Sequence, residues 1–416
     1  MGDNAYEDIT QAEIDEIRRH VDKHGLSGLP GIVQNKMRDW RNVPLSIALV
    51  GEAAVGKSSF INSIRGLTAD DEGSAPVGTG DVTREPTKYC HPYNEQLVFW
   101  DLPGVGTPRF PQDKSYLGRV GYSKYDFFLL LSDDRFTSKD IWLAQEIESL
   151  NKEYFFIRTK INDAMDSAKD SERDFSESRV LERIKKNCND NFTAGQLKKR
   201  PVYCIDCYDK HKWDYSKLME DILVSLPEIK RNTLVLSLSP LTKGVIKSKT
   251  MVLKTRAPKV ALVSGIQGAC TSLIPIPLLG GAIGVSLDIA LLATEVTFYL
   301  KQYGLDDESL QELSARTNRR LDYYHDALKD GSSIMTSRQS VKTFLMNMIK
   351  SEATEEAIKR IPIEMTRFIP FVNALVGGTI NFATAHYMLN NMIDVLEKDA
   401  MIVIDALIQA TSSEVD

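Results

Sequence analysis

The sequence predicts an α/β domain with a mostly parallel sheet, joined to an all-α helical domain. Three observations carry that prediction. Between residues 45 and 206, apolar runs of strand length alternate with helix-like stretches, which places helices over both faces of a parallel sheet. The first of these runs leads straight into a glycine-rich loop and then a helical pattern. Beyond residue 232 the strand-like runs stop, and two long stretches without a charged residue follow, at 260–287 and 368–393.

Composition sets the outer limits. With 416 residues, 43% hydrophobic and 26% charged, the chain is ordinary globular protein with room for two or three domains. A net charge of −6 predicts no nucleic-acid partner, which would ask for a basic face. Five cysteines (Cys90, Cys188, Cys204, Cys207, Cys270) make no disulfide framework in so long a chain. No secretory signal opens it, so a reducing, cytoplasmic setting is expected. Cys204 and Cys207 have redox-motif spacing but sit in the apolar run PVYCIDC with no second pair, which favours strand packing over redox or metal chemistry. Gly2 follows the initiator Met, yet Tyr6 stands where a myristoylation motif asks for Ser or Thr.

Taken in order, residues 1–43 read as polar helical segments, such as ITQAEIDEIRRHVDKHG with a stop at Gly25. The strand candidates are LSIALV at 45–50, QLVFWDL at 96–102, YDFFLLLS at 125–132, EYFFIRTK at 153–160 and PVYCID at 201–206. They define an α/β domain over 44–230. Residues 231–416 read as helices, which the N-terminal segment is expected to join.

The chemistry begins after the first strand, at Gly51-Glu52-Ala53-Ala54-Val55-Gly56-Lys57-Ser58, followed by Ser59. This is a phosphate loop in the strand-to-helix context that the motif requires. Its backbone N–H groups close around phosphates, Lys57 reaches the β and γ oxygens, and Ser58 offers a hydroxyl to Mg²⁺. Asp101 and Gly104, in FWDLPGVG, follow at the end of a strand, where the aspartate can hold Mg²⁺ and the glycine N–H can sense a γ-phosphate. Between the two motifs, the segment GSAPVGTGDVTREPTKY holds Thr79, Thr83 and Thr87, and Thr83 is the choice for completing the Mg²⁺ shell. After Gly104 stands Val105, where Ras-like proteins carry a water-orienting glutamine.

The base site departs from pattern. RTKINDAMD gives Thr159 and Lys160, whose side chains suit a guanine loop, and then Asn162 where an aspartate is expected, with Asp163 one step late. A carboxylate accepts from both guanine N1–H and the exocyclic amine, whereas an amide turns a donor towards one of them. The mispairing costs about 1–3 kcal/mol. Three readings stay open: Asp163 takes the role, Asn162 is tolerated with weaker guanine preference, or the pocket has moved to another base such as xanthine. The last guanine loop, starting at Asp206, reads Asp-Cys-Tyr-Asp and lacks the usual small-residue-then-Lys pattern.

On these motifs the chain resembles the immunity-related GTPases, the interferon-inducible, dynamin-like family. The resemblance rests on GEAAVGKSSFINSIRG at 51–66, WDLPGVGT at 100–107, YDFFLLLS with the following Arg135-Phe136, YFFIRTK ending at Lys160, SLPEIKR, and FYLKQYGLDDESL at 298–310. It implies a Ras-like, P-loop GTPase domain and a helical domain built from both chain ends. It further implies Mg²⁺-dependent hydrolysis of GTP to GDP, self-association through the nucleotide face, and peripheral action at intracellular membranes in cell-autonomous immunity. Alignment of the family's first switch puts Asp81 at an acidic position that helps catalysis across a dimer interface, one methylene shorter than the usual Glu. Lys57 and Thr83 complete the catalytic set, and Ser58, Thr83 and Asp101 the metal set.

The alternative from another class is a nucleotide-gated scaffold that hydrolyses little, which Val105 and Asn162 favour and Asp81 opposes. The two uncharged runs are long enough to span a bilayer, but their prolines and amides point to buried bundle helices or a membrane-contacting element. Lys243, Lys247, Lys249, Lys254, Arg256 and Lys259 form a basic run before the first of them, readable as a lipid-facing patch or a solvated helix face.

Overall fold

The computed structural model describes residues 11–25, 28–78, 83, 85–107, 109–133, 136–268, 274–275, 284–285, 289–317, 319–328, 340–345 and 378–412. Contacts divide the chain into two units, Arg41–Val245 and the pairing of Met1–Trp40 with Ile246–Asp416.

After α1 (Gln11–His24) and α2 (Leu29–Arg38), the Arg41–Val245 unit runs β1 (Leu45–Val50), α3 (Lys57–Arg65), β2 (Thr87–His91), β3 (Asn94–Asp101), α4 (Tyr116–Arg119) and β4 (Phe127–Ser132). It continues with α5 (Ser138–Ser149), β5 (Tyr154–Arg158), α6 (Ile161–Ser171), α7 (Glu177–Ala194), β6 (Val202–Cys204), α8 (Tyr215–Ser225) and α9 (Glu228–Ser237). Six strands make one sheet in the order β2-β3-β1-β4-β5-β6, parallel throughout except for the β2–β3 pair. All five apolar runs become strands. FFLLLS in β4 is buried at every position because β1 and β5 flank it and helices cover both faces.

Periodicity missed β2. TKYCH is exposed at its first two positions and carries no apolar alternation, as an edge strand permits. Its antiparallel register pairs Thr87 with Asp101, which brings the end of the glycine-rich segment to the tip of β3. Parallel register then sets Leu49 beside Asp101 and Ser132 beside Arg158, so every motif emerges at the C-terminal edge of the sheet.

The unit ends after Val245, later than the 230 read from the end of the alternation. The reason is α9, which packs on β1 and β3. Lys230 pairs with Asp126, whose other oxygen accepts the Ser46 N–H at 2.9 Å, and Arg231 donates to the carbonyls of Leu223 and Leu226 at 2.8 and 3.0 Å. The Cys204 and Cys207 thiols are free and buried, and burial pushes both up to about 12, consistent with packing rather than redox chemistry. Among the described residues no cluster of metal-ligating side chains occurs.

The second unit contains α1 and α2 with α10 (Lys243–Gly268), whose first residues precede the division, then α11 (Ile289–Tyr303), α12 (Asp307–Thr317), α13 (Leu321–Ala327) and α14 (Gly378–Ser412). α14 packs on α11, α12 and α13. Arg256 ties the N-terminal segment in: its guanidinium grips Glu295 of α11 with two nitrogens, donates to the Met37 carbonyl of α2, and lies over the Phe298 ring. Where helices were expected throughout, a two-residue antiparallel ladder joins Ile274–Pro275 to Gly284–Val285, and Pro275 favours extended backbone at Ile274.

The basic run is not one face. Lys249 is buried and bonded to Gln302 Oε1 at 2.6 Å, with burial pushing its ammonium down to about 7. Arg256 is committed to Glu295, and Lys254 pairs with Asp394 at 2.8 Å. Much of both uncharged stretches lies outside the described residues, and among the described ones no helix is long and apolar enough to cross a membrane.

The Arg256–Glu295 pair is mostly buried, with side-chain exposures of 14% and 7%. Arg256→Met strands the carboxylate and is expected to cost about 3–5 kcal/mol in urea unfolding of the full chain, while Arg256→Met with Glu295→Met recovers most of it.

Candidate functional site

The phosphate loop owes its shape to three residues in the left-handed region: Ala54 (φ 62°), Gly56 (φ 91°) and Gly51 (φ 148°). A Cβ at Gly51 would lie 2.2 Å from the Leu131 carbonyl oxygen, so only glycine lets β1 turn there against β4. Gly56 then caps α3, whose free N–H groups and positive end face the loop. Lys57, 7% exposed, donates to the loop carbonyls of Glu52 at 2.6 Å and Gly51 at 3.4 Å, which holds its amine over the loop.

One carboxylate gathers the metal-binding candidates. Asp101 Oδ2 accepts from Ser58 Oγ and from Thr83 Oγ1, each at 2.9 Å. Its Oδ1 is buried without a hydrogen-bond partner among the described residues, a position that costs about 1–3 kcal/mol if left so. An anionic oxygen so placed beside two hydroxyls fits a hard divalent cation or one of its waters. Tyr116 steadies the turn that follows, donating to the Pro103 carbonyl at 2.8 Å, and burial raises its pKa, so it stays a donor. A Cβ at Gly104 would sit 2.9 Å from the Ala53 backbone nitrogen, so this glycine lets the two loops touch. Val105 is buried in the core and does not line the cavity beside these loops.

A cavity of about 300 Å³ runs from this loop to the base loops. Ala53, Ala54, Gly56, Lys57, Ser58, Ser59, Thr83 and Gly104 line one end, and Thr159, Lys160, Asp163 and Asp206 the other. Thr159 Oγ1 donates to the Val55 carbonyl at 2.7 Å, joining base loop to phosphate loop. Lys160, at φ 54°, pairs with Asp133 at 2.7 Å. Asp206 turns inward and accepts the Tyr208 N–H at 2.9 Å.

Not every expected residue reaches the cavity. Asn162 Oδ1 accepts the Trp213 indole N–H at 2.8 Å and does not line the cavity, whereas Asp163 does. Glu52 points to α5, accepting from Thr137 Oγ1 at 2.9 Å and Lys139 Nζ at 2.7 Å. Asp81 lies outside the described residues.

The chain is matched from residue 10 to 404 by the family described as interferon-inducible GTPase. The chain belongs to that family. T-cell-specific guanine nucleotide triphosphate-binding protein 2 of Mus musculus is 30% identical over 404 residues, covering 96% of this chain and 90% of its own. Interferon-inducible GTPase 5 of Rattus norvegicus is 29% identical over 393 residues, covering 94% and 82%. A crystal structure of Aquifex aeolicus Era bound to GDP.AlF4- is 21% identical, covering 50% of this chain and 67% of that one, with a TM-score of 0.31. As an interferon-inducible GTPase, the chain binds guanine nucleotide and hydrolyses GTP.

Sequence reading missed the residues that brace this GTPase site from a distance. Tyr116, Asp133, Lys139 and Trp213 carry no motif, because each acts on a partner far away in the chain. Tyr208 is the exception: an exposed aromatic beside Asp206, 82% open, with its hydroxyl 3.3 Å from Ser59 Oγ.

Two outcomes follow from these contacts. Gly104→Ala forces backbone against backbone and is expected to weaken binding of a fluorescent GDP analogue by about tenfold or more. Burial pushes the Asp140 carboxyl up to about 6, against hydrogen bonds from Thr137 and Ser132, with Glu52 adding to the rise. The folded chain therefore holds this proton where the unfolded one has released it. Stability is expected to fall as pH rises from about 4 to about 6, by up to about 3 kcal/mol. Asp140→Asn should remove that part of the slope in parallel unfolding curves.

Proposed function

We propose that the chain hydrolyses GTP to GDP with Mg²⁺, self-associates through its nucleotide face in a nucleotide-dependent way, and acts at intracellular membranes in cell-autonomous immunity. The observation that carries the catalytic part is the convergence of the Ser58 and Thr83 hydroxyls on Asp101, whose second oxygen is buried and unmatched. Thr83 belongs to the glycine-rich segment between the two motifs, so its reach to Asp101 is what a γ-phosphate sensor requires.

The roles follow from chemistry. Backbone N–H groups of residues 53–58 and the start of α3 hold the phosphates, and Lys57 offsets their charge. Ser58, Thr83 and Asp101 would hold Mg²⁺, which when bound neutralises charge between the β- and γ-phosphates. The Gly104 N–H faces the γ-phosphate end. Asp163 accepts from guanine N1–H and its amine, while the Lys160 stem covers the base plane; the support is that Asp163 lines the cavity and the Asn162 oxygen is already engaged.

Buried Val105 leaves no side chain at its position to orient water. We assign that work to Asp81, in keeping with the family's use of an acid in this loop across a dimer. Exposed Val77 and Tyr208 at the cavity rim suit a partner surface there. The burial of Val105 also favours a second reading, a nucleotide-gated scaffold with little hydrolysis. Asp81→Ala separates the two. Turnover per molecule should rise with protein concentration in the wild type and fall at least tenfold in the variant, with GDP affinity unchanged. Equal, concentration-independent turnover in both proteins supports the scaffold.

A further inference from the structure

Two adjacent residues at the start of α6 compete for one position, and a helix cannot aim both at it. Successive side chains diverge by about 100° around a helix, so fixing Asn162 fixes Asp163. The Asn162 amide is held at 2.8 Å by the Trp213 indole. Indole N–H is a donor only, so the amide oxygen, and not its NH₂, must face the ring. The Asp163 carboxylate is left exposed at the cavity wall.

Trp213 is itself anchored. It sits at φ 60°, a strained position for a bulky residue, which persists only where surroundings impose it. Its neighbour Asp214 exchanges two hydrogen bonds with Cys204 at the end of β6, both 2.9 Å, and pairs with Lys185 at 2.7 Å. The indole packs against the sheet's core, and Lys212 lies 4.4 Å over the ring. At the other end, the Ile161 N–H donates to the Ile205 carbonyl at 3.3 Å, which fixes where α6 begins.

We propose that Trp213 is the positioning residue for base specificity: by holding Asn162 out of the cavity it presents Asp163 to guanine and prevents an amide from entering the base site. This rests on the reading of Asp163 as the guanine acceptor. Xanthine is the telling competitor. It carries a carbonyl where guanine has its amine, so an amide in the pocket accepts from N1–H and donates to that oxygen, while a carboxylate repels it.

The test is competition between GDP and xanthosine diphosphate on the purified full chain, read as an affinity ratio. Wild type should prefer GDP by a hundredfold or more. Trp213→Phe keeps a packed ring without the donor and should lower the ratio at least tenfold. Adding Asn162→Asp to that variant should restore it, since the residue now free to enter is a carboxylate, and loss of fold gives no such rescue. A ratio within twofold of wild type in Trp213→Phe, or a fall that Asn162→Asp does not reverse, overturns the proposal. Asp163→Asn checks the reading beneath it and should favour xanthosine diphosphate. If that variant leaves the ratio unchanged, the assignment of Asp163 fails and the role of Trp213 with it; if Asp163→Asn inverts preference while Trp213→Phe does nothing, only the positioning role fails.

Discussion

The Asp101 carboxylate is the constraint around which the nucleotide unit is arranged. It is 1% exposed, and one oxygen accepts two hydroxyls from different segments while the other has none among the described residues. A charge in that position is tolerated only where donors or a cation match it. Everything that places it is therefore under demand: the parallel register with β1, the antiparallel turn of β2, and the Tyr116 hydroxyl under the following loop. Ser58 comes to it from the first turn of α3 and Thr83 from the glycine-rich segment, so one atom joins two separate segments of the chain.

The sheet was legible because its strands are buried on both faces and so announce themselves as apolar runs. LSIALV and YDFFLLLS needed no further argument, and the phosphate loop is read from its order of residue types alone. β2 was not legible, since an edge strand paired on one side needs no apolar alternation. The basic run misled for a related reason. Six cations in one helix look alike in sequence, but Lys249 falls on the buried face and Arg256 on the face towards α11. Only the helix's rotation separates them, and rotation depends on partners far along the chain.

The base site shows the same limit more sharply. Neighbouring Asn162 and Asp163 left three readings open because nothing local says which of two adjacent side chains faces a cavity. The contact on which the proposed assignment rests comes from Trp213, 51 residues away, on a loop after β6. Phosphate chemistry is written in contiguous residues, since a single loop wraps the anion. Base recognition is assembled from several loops, and its short motifs lose meaning when one position changes. Val105 was readable in identity, and the structure adds that it is part of the core.

Thr159 bears on how the ligand is held as a whole. It is fully buried, and its hydroxyl is bonded to the Val55 carbonyl inside the phosphate loop and to that of Ser132 at the end of β4. On the proposed reading of these loops as the base and phosphate ends of the nucleotide site, the two halves of the nucleotide do not bind as independent fragments. Ordering the base loop removes freedom from the phosphate loop before a phosphate arrives, and the reverse holds equally, because linkage is reciprocal. Nucleoside and inorganic diphosphate, added separately, should each raise the affinity of the other: the chain treats one ligand as two cooperating effectors.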